Sequence, residues 1–527
     1  MQSNMIHQYS NVPEAFIERS NINRSFSYKT TMDAGYLVPF YNDLMYPGDT
    51  FTMKTYVFGR MATPVYPIFD NLFVETFYFS IPIRLVWENF QAFMGEVNTN
   101  TSSQITIMEI PHRQVLQDSV YTENTLQDYL GLPTYCYSYD HSVLPLRAYT
   151  LVWNEWFRSD YLQDPIEINF GDNGKEDPSY ILLRRGKRFD YYTSCLPFPQ
   201  AGPGVEISLS GNAPVMAQYT QAPAGTKVTS YTARDGASST VFNAITYGSP
   251  GVAGSLTGEG VYADLSELSA ITINSLREAF AMQQFLERMA QGGNRYTEII
   301  RAMFGVTSPD ARLQRPEFLG HGQSRININP VEQTSQTSSD GTPLGQLAAY
   351  GVFRDEHHAF SYSATEHCII LGLINIRADL TYQNSLWKHW NYISREQLYW
   401  PQFSHLGEQA VYVQELWNPG EKDSLGDWST IQDEVFGYQE RYGECRYYPS
   451  MVTGLFKTNT KSGLDAWHLS QSFTKAPQLN SSFIEDNPPI DRVVAVPSEP
   501  HFIVDIFCDL QCARPMPVYS TPGLTRM

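Results

Sequence analysis

The one concentrated run of positive charge is Arg184-Arg185-Gly186-Lys187-Arg188, four cations in five residues. The chain as a whole carries 36 Lys and Arg against 55 Asp and Glu, a net charge of −19, so this run stands apart. Cations at that density can neutralise phosphates. Tyr191 and Tyr192, just downstream, would add faces on which the bases of a single strand could stack. The plainer reading is a solvated loop, or ion pairs with neighbouring acids. Other groupings offer less. His357-His358, with His367 nearby, hints at a metal site. No HExxH pattern accompanies them, no carboxylate falls at ligand spacing, and a polar loop entering a strand explains them better. Residues 172–177, Asp-Asn-Gly-Lys-Glu-Asp, imitate part of a calcium loop. They lack its alternating carboxylates and distal Glu and read as a solvated turn. The glycines of 251–260 do not sit between a strand and a helix, so they make no phosphate cradle. Nucleophile-elbow and Walker patterns are absent. No catalytic, cofactor-binding or metal-ligating residues are assigned, and no enzyme is expected.

The elements that must position the basic run are mostly strands. The composition is 14% aromatic, with 35 Gly and 32 Pro, which leans towards β-structure with long loops. A short apolar run at 35–40 ends in Pro39-Phe40, and Tyr46-Pro47-Gly48-Asp49 is a turn. It launches an alternating strand over 50–58. Residues 72–82 are almost wholly apolar, as in a strand buried on both faces. Residues 366–380 form another strand, and 501–512 the last. There Cys508 and Cys512 share one face, as core residues would. Helical spacing marks 84–95, 146–157 and, most clearly, 272–292, where Asn274 or Ser275 can cap and Gly292-Gly293 stops the helix. Residues 329–346 read as a polar loop and 475–500 as a Pro-rich one.

Strands at both ends, with helices and long loops between, require pairing across hundreds of residues. That is the order of a jelly roll or Greek key with large insertions. Residues 1–25 read as an extended polar arm and 26–527 as the main domain. Residues 201–268, rich in Gly, Ala, Ser and Thr, form an inserted protrusion with a few short strands. Six Cys are too few for a disulfide scaffold and point to reduced thiols. The opening residues carry no basic-then-apolar leader, and no apolar run is long enough to cross a membrane. The acidic balance argues against a freestanding nucleic-acid binder, though not against one local patch or a separate basic partner.

Several stretches together resemble a known family. They include Asp33-Ala34-Gly35-Tyr36-Leu37-Val38-Pro39, Pro47-Gly48-Asp49-Thr50-Phe51 and Arg84-Leu85-Val86-Trp87-Glu88-Asn89. Leu146-Arg147-Ala148-Tyr149, Trp153-Asn154-Glu155-Trp156-Phe157-Arg158 and Arg185-Gly186-Lys187-Arg188 leading to Cys195-Leu196-Pro197-Phe198-Pro199-Gln200 follow. Gly292-Gly293-Asn294-Arg295-Tyr296-Thr297-Glu298, the segment 308–317, Asn375-Ile376-Arg377-Ala378-Asp379-Leu380-Thr381-Tyr382 and 437–442 complete the series. In this order and along the whole chain, they resemble the major capsid proteins of gokushoviruses, single-stranded DNA phages of the microvirus family. Phe198 stands where the family tends to have Trp, and Tyr448 where Lys is common.

The resemblance implies a mainly β fold, an eight-stranded viral jelly-roll sandwich whose long insertions carry helices and short strands. It implies a homo-oligomer, a 60-copy T=1 icosahedral shell built through pentamers, with 201–268 as protrusions near the three-fold axes. Implied partners are an internal scaffolding protein, a small basic DNA-binding protein, a pilot protein, the packaged circular single-stranded DNA and a bacterial surface receptor. The expected location is the virion, assembled in the host cytoplasm, without cofactor or membrane insertion. Arg184, Arg185, Lys187 and Arg188 become candidate DNA or inner-surface contacts, with ion pairing to acids as the structural alternative. An aromatic β-sandwich could also be a carbohydrate-binding module or glycosidase, which would need converging carboxylates.

Overall fold

The computed structural model describes residues 18–96, 109–205, 215–217, 261–263, 273–332, 334, 347–418, 434–458, 460 and 462–519. The chain divides into two compact units, 1–199 with 292–527, and 200–291.

Eight long strands organise the larger unit: β1 Phe26–Met32, β2 Val38–Met45, β3 Thr50–Met61, β4 Leu72–Pro82, β5 Glu317–Arg325, β6 Leu347–Ser363, β7 Cys368–Ala378 and β8 Phe502–Arg514. They pair antiparallel as nested couples: β1 with β8, β2 with β7, β3 with β6, and β4 with β5. Two further pairings, β8 with β3 and β7 with β4, knit the couples into sheets of order β1-β8-β3-β6 and β5-β4-β7-β2. Ser20–Asn23 extends the first sheet by pairing with the end of β8, so part of the expected arm is a strand. Asn327–Glu332 adds an outer strand beside β6, where a polar loop had been expected. The rest of the arm, 1–17, and residues 335–346 lie outside the described residues.

Burial follows strand by strand from side-chain pattern. In β8 every second residue is buried, and β3 alternates likewise, so one face of their sheet meets the core. β7 is buried along its whole length and β4 at all but one position. Their sheet is covered twice. One face contributes Val74, Tyr78, Ile370 and Ile374 to a core shared with Phe51, Val57, Phe353 and Val504 of the first sheet. The other face, through Phe77, Phe79, Ile369 and Leu371, packs on helix α1, Leu144–Val152. Across the first core the Tyr78 hydroxyl donates to Thr55 Oγ1 at 2.7 Å, tying β4 to β3.

The region expected as one helix over 84–95 is two single turns, Ile83–Leu85 and Phe90–Phe93. Trp87 is fully buried between them, so tertiary packing overrides the helical spacing. Helix α1 runs on as one π-helical segment, Trp153–Phe157. His357 and His358 fall inside β6, a seventeen-residue strand, not in a loop. Helix α2 spans Ile273–Gly292, all but its last residue in the smaller unit, where Val215–Ala217 pairs with Val261–Ala263. Most of the 201–268 insertion lies outside the described residues.

Gly59 of β3 lies directly opposite Phe353 of β6, and a side chain there would overlap the Phe353 ring. We expect Gly59→Ala to destabilise the subunit by about 1–3 kcal/mol, the usual cost of overfilling a packed core. Urea unfolding of the isolated subunit measures it. An unchanged midpoint would show that the ring moves aside freely.

Candidate functional site

The basic segment is held in the fold by its backbone before any side chain is considered. Arg184 bridges Tyr36, and Gly186 bridges Glu485. Arg185 N–H donates to Gly35 O at 2.8 Å, Asp486 N–H to Arg185 O at 2.9 Å, and Lys187 N–H to Ile484 O at 2.7 Å. Three stretches, 34–37, 184–187 and 484–486, thus run side by side. Gly35 has φ of 83°, and a Cβ on it would collide with the Asp486 carbonyl, so the close approach requires glycine. Helix α1 fixes the same segment from the other side. The Tyr149 hydroxyl donates to Leu37 O and accepts from Leu183 N–H, and Trp153 Nε1 donates to Arg184 O at 2.9 Å. The helix is itself anchored by the buried Arg147–Asp177 pair, with Nε and Nη2 reaching the two carboxylate oxygens at 2.8 and 2.6 Å.

Each cation then meets a partner within the chain. Arg184 Nη1 donates to the carbonyls of Ala34 and Asp486, and its guanidinium lies 4.0 Å from the Tyr36 ring centre. Arg185 donates to Glu75 and stands over Phe77. Lys187 is buried, with Nζ donating to Gln471 Oε1 at 3.0 Å over the Phe483 ring. Arg188 pairs with Asp379 at 3.0 Å above Phe73 and remains 33% exposed. Beside it Phe189 is 89% exposed. Tyr191 and Tyr192, expected as stacking faces, are instead core residues against Trp387 and Tyr382. No base can reach them.

The centre of the cluster is a group that the charge run does not reveal. Glu75 of β4 also accepts from Arg377 of β7, with Nη2 to Oε2 at 2.8 Å and Nε to Oε2 at 3.1 Å. Burial alone would push the Glu75 carboxyl up, but Arg185 and Arg377 hold it below the usual carboxylate range. Burial lowers Arg185 to about 10, and nearby Arg377 adds to that against the pull of Glu75. Burial likewise lowers Lys187 to about 8, opposed by Asp486 and Asp190. Asp486 is raised to about 7 by burial, despite four surrounding cations, and its Oδ2 has no hydrogen-bond partner. The sequence did carry a signal for Glu75 and Arg377. Each is a lone charge in an otherwise apolar strand, and such charges are kept only when paired.

The remaining candidates disperse. His357 lies inward, within 3.1 Å of Thr76 Oγ1 and 2.8 Å of Asp355, whereas His358 is exposed. His367 packs edge-on against Tyr46 and Phe90. Among the described residues no group of three or more His, Cys, Asp or Glu could hold a metal ion. Asp172 accepts from Trp87 Nε1 and Asn89 Nδ2, and Asn173 caps the turn Gly174–Glu176. Cys508 and Cys512 are both buried, as expected of core residues on one face of a strand. No described helix is long and apolar enough to cross a membrane.

Comparison with known proteins adds an independent finding. The profile of the family described as capsid protein (F protein) matches residues 10–524. Over 595 aligned residues the chain is 40% identical to capsid protein VP1 of Chlamydia phage 1, covering 100% of this chain and 99% of that protein. It is 37% identical to capsid protein VP1 of Bdellovibrio phage phiMH2K, covering 98% and 97%. The figure is 30% for capsid protein VP1 of Spiroplasma virus 4, covering 99% and 98%.

Asp486 makes the site's electrostatics measurable. Its carboxyl, raised from 3.8 to about 7, binds a proton more tightly in the folded chain than in the unfolded one. Its contribution to stability is therefore greatest below pH ~4, declines as pH rises to ~7 and then levels off. Asp486→Asn abolishes this titration. The variant's urea midpoint, relative to the parent's, should rise between pH ~4 and ~7. A flat difference would mean that the four cations keep Asp486 ionised throughout.

Proposed function

We propose, from the premise that this chain belongs to the capsid protein (F protein) family and is a major capsid structural protein of a small single-stranded DNA phage, that 60 copies close into a T=1 shell through pentamers. The family is structural, and the chain is not an enzyme. The observation that carries the architectural part is the nested pairing of the eight strands. First with last, second with seventh, third with sixth and fourth with fifth is how an eight-stranded jelly roll is wound. A head-to-tail contact of such subunits closes into rings with one surface serving every copy.

The subunit's charge of −19 would repel packaged DNA, so a small basic DNA-binding protein is proposed to neutralise the genome inside the shell. An internal scaffolding protein, a pilot protein and assembly in the host cytoplasm belong to the same reading. Within the basic segment, Arg184, Arg185 and Lys187 act as braces of the subunit. Any DNA contact falls to Arg188 and the adjacent exposed ring of Phe189. Replacing all four cations would therefore damage the fold before it tested DNA binding.

Arg188→Ala with Phe189→Ala, co-expressed with the other viral proteins, should give shells at parental yield but with less DNA in each. Negative-stain microscopy and nucleic-acid content read both quantities. Parental DNA content would remove these residues from the genome contact, and a stable monomer from the parental chain, with all partners present, would overturn the shell reading.

The insertion 201–268 is proposed as the surface protrusion near the three-fold axes that meets the bacterial receptor. Its Ser, Thr and Gly content suits a loop tolerant of change. Deleting residues 215–255 should preserve assembly and impair adsorption to host cells. Normal adsorption by such particles would make the insertion a passive spacer.

A further inference from the structure

Among the described residues of the larger unit, several large apolar side chains stand in solvent. Residues 387–406 consist of short turns with no strand, and they carry Trp390, Ile393, Leu398, Tyr399 and Leu406 largely in solvent. Ile393 is 95% exposed and Trp390 73%, and Tyr448, from the neighbouring segment, is 70% exposed. Gathered apolar exposure on this scale marks an interaction surface.

The surface is built, not frayed. At its root Trp387 is buried against Tyr191, and Tyr448 packs 5.4 Å from the Trp387 ring. Lys388 donates to Ala410 O at 2.8 Å and pairs with the buried Glu415 at 3.4 Å. Gln397 Oε1 accepts the N–H groups of Ile393 and Ser394, which fixes the turn that presents Ile393. Trp400 Nε1 donates to Arg395 O at 2.7 Å. Tyr442 holds the far side. Its hydroxyl donates to Leu398 O and accepts from Trp400 N–H, and its own backbone sits at φ of 58°, an uncommon state for a residue of this size. Hydrogen bonds therefore hold in place a segment whose apolar side chains, Trp387 apart, contribute little to the subunit's own core.

We infer that residues 387–406, with Tyr448, form a subunit–subunit seam whose occupant is a second copy of this chain. The inference rests on the reading of the chain as a self-assembling shell protein and assigns a surface to that assembly. Charge favours the same occupant. Copies at −19 repel one another, so they approach best where acids are scarce. Residues 387–406 contain one acid, Glu396, already paired with Arg395 at 2.7 Å. The stretch is not basic enough for a nucleic-acid surface, with only Lys388 and Arg395 as cations. Apart from the buried Trp387 its residues are exposed or half-buried, and their number is close to one side of a standard interface, about 20–30 residues. Buried aromatic anchors are what such interfaces depend on.

Ile393→Asp tests the seam, because a side chain so exposed is not needed for the subunit's fold. We expect the free subunit to keep the parental urea midpoint while shell yield falls at least tenfold. Shells at parental yield would overturn the inference. A second reading uses Cys445, an exposed free thiol in the turn just after Tyr442, in a Cys136→Ser background that removes the other exposed thiol. A maleimide polymer should modify Cys445 in dissociated subunits and be excluded from it in purified mature shells. Protection seen only while scaffolding protein is present would assign the surface to that protein and overturn the second-copy seam. The parental chain separates the two levels of argument. If it forms no particles, the shell reading falls and the seam with it. If it does and the variant assembles equally well, only the seam falls.

Discussion

Glu75 lies inside β4, in a sheet whose two faces are both covered. An ionised carboxylate cannot remain in such a setting without partners, and removing one partner of a buried pair typically costs about 3–5 kcal/mol. Arg377 is available from the neighbouring strand, but Arg185 has to be brought in by a loop. That requirement draws 184–187 between 34–37 and 484–486, places glycine at position 35 and leaves Asp486 enclosed. Tyr149 and Trp153 then bind the loop to α1, and Arg147 binds α1 to the Gly171 carbonyl and to Asp177. Sheet, loop and helix layer are thus registered on one charge.

Some of the aromatic residues answer the same problem. Each cation of the segment lies over a ring: Arg184 over Tyr36, Arg185 over Phe77, Lys187 over Phe483 and Arg188 over Phe73. A ring face compensates part of the hydration a cation loses without adding a further buried charge. A subunit that encloses several cations therefore gains from Phe and Tyr beside them. Motif residues first noticed as a resemblance, such as Arg147, Tyr149, Trp153, Arg185 and Arg377, belong to this construction.

Elements whose signal is local were legible in the sequence. The apolar runs of β4 and β7, the alternation of β3 and β8, the turn at 46–49 and helix α2 needed no partner to be read. The order of strands also required the chain ends to pair, and β1 does pair with β8. β6 escaped notice because Arg354, Asp355, Glu356, His357 and His358 interrupt its apolar pattern, although its alternation persists through them. The basic run shows the deeper limit. Charge density is visible in five residues, but the partners of Arg185, Lys187 and Arg188 lie 110, 284 and 191 residues away. Exposure is decided by those distant groups.

The position of β8 has a consequence for the timing of synthesis. Among the described strands it is the last in chain order, yet it lies in the interior of its sheet, between β1 and β3. A nascent chain on the ribosome holds those two strands apart with a vacant lane between them, and long-range pairing of this kind closes slowly. That sheet cannot close until β8 has been made. A chain that stops short of β8 lacks an interior strand of that sheet. The topology thus makes the sheet wait for the strand that follows all its others in the chain.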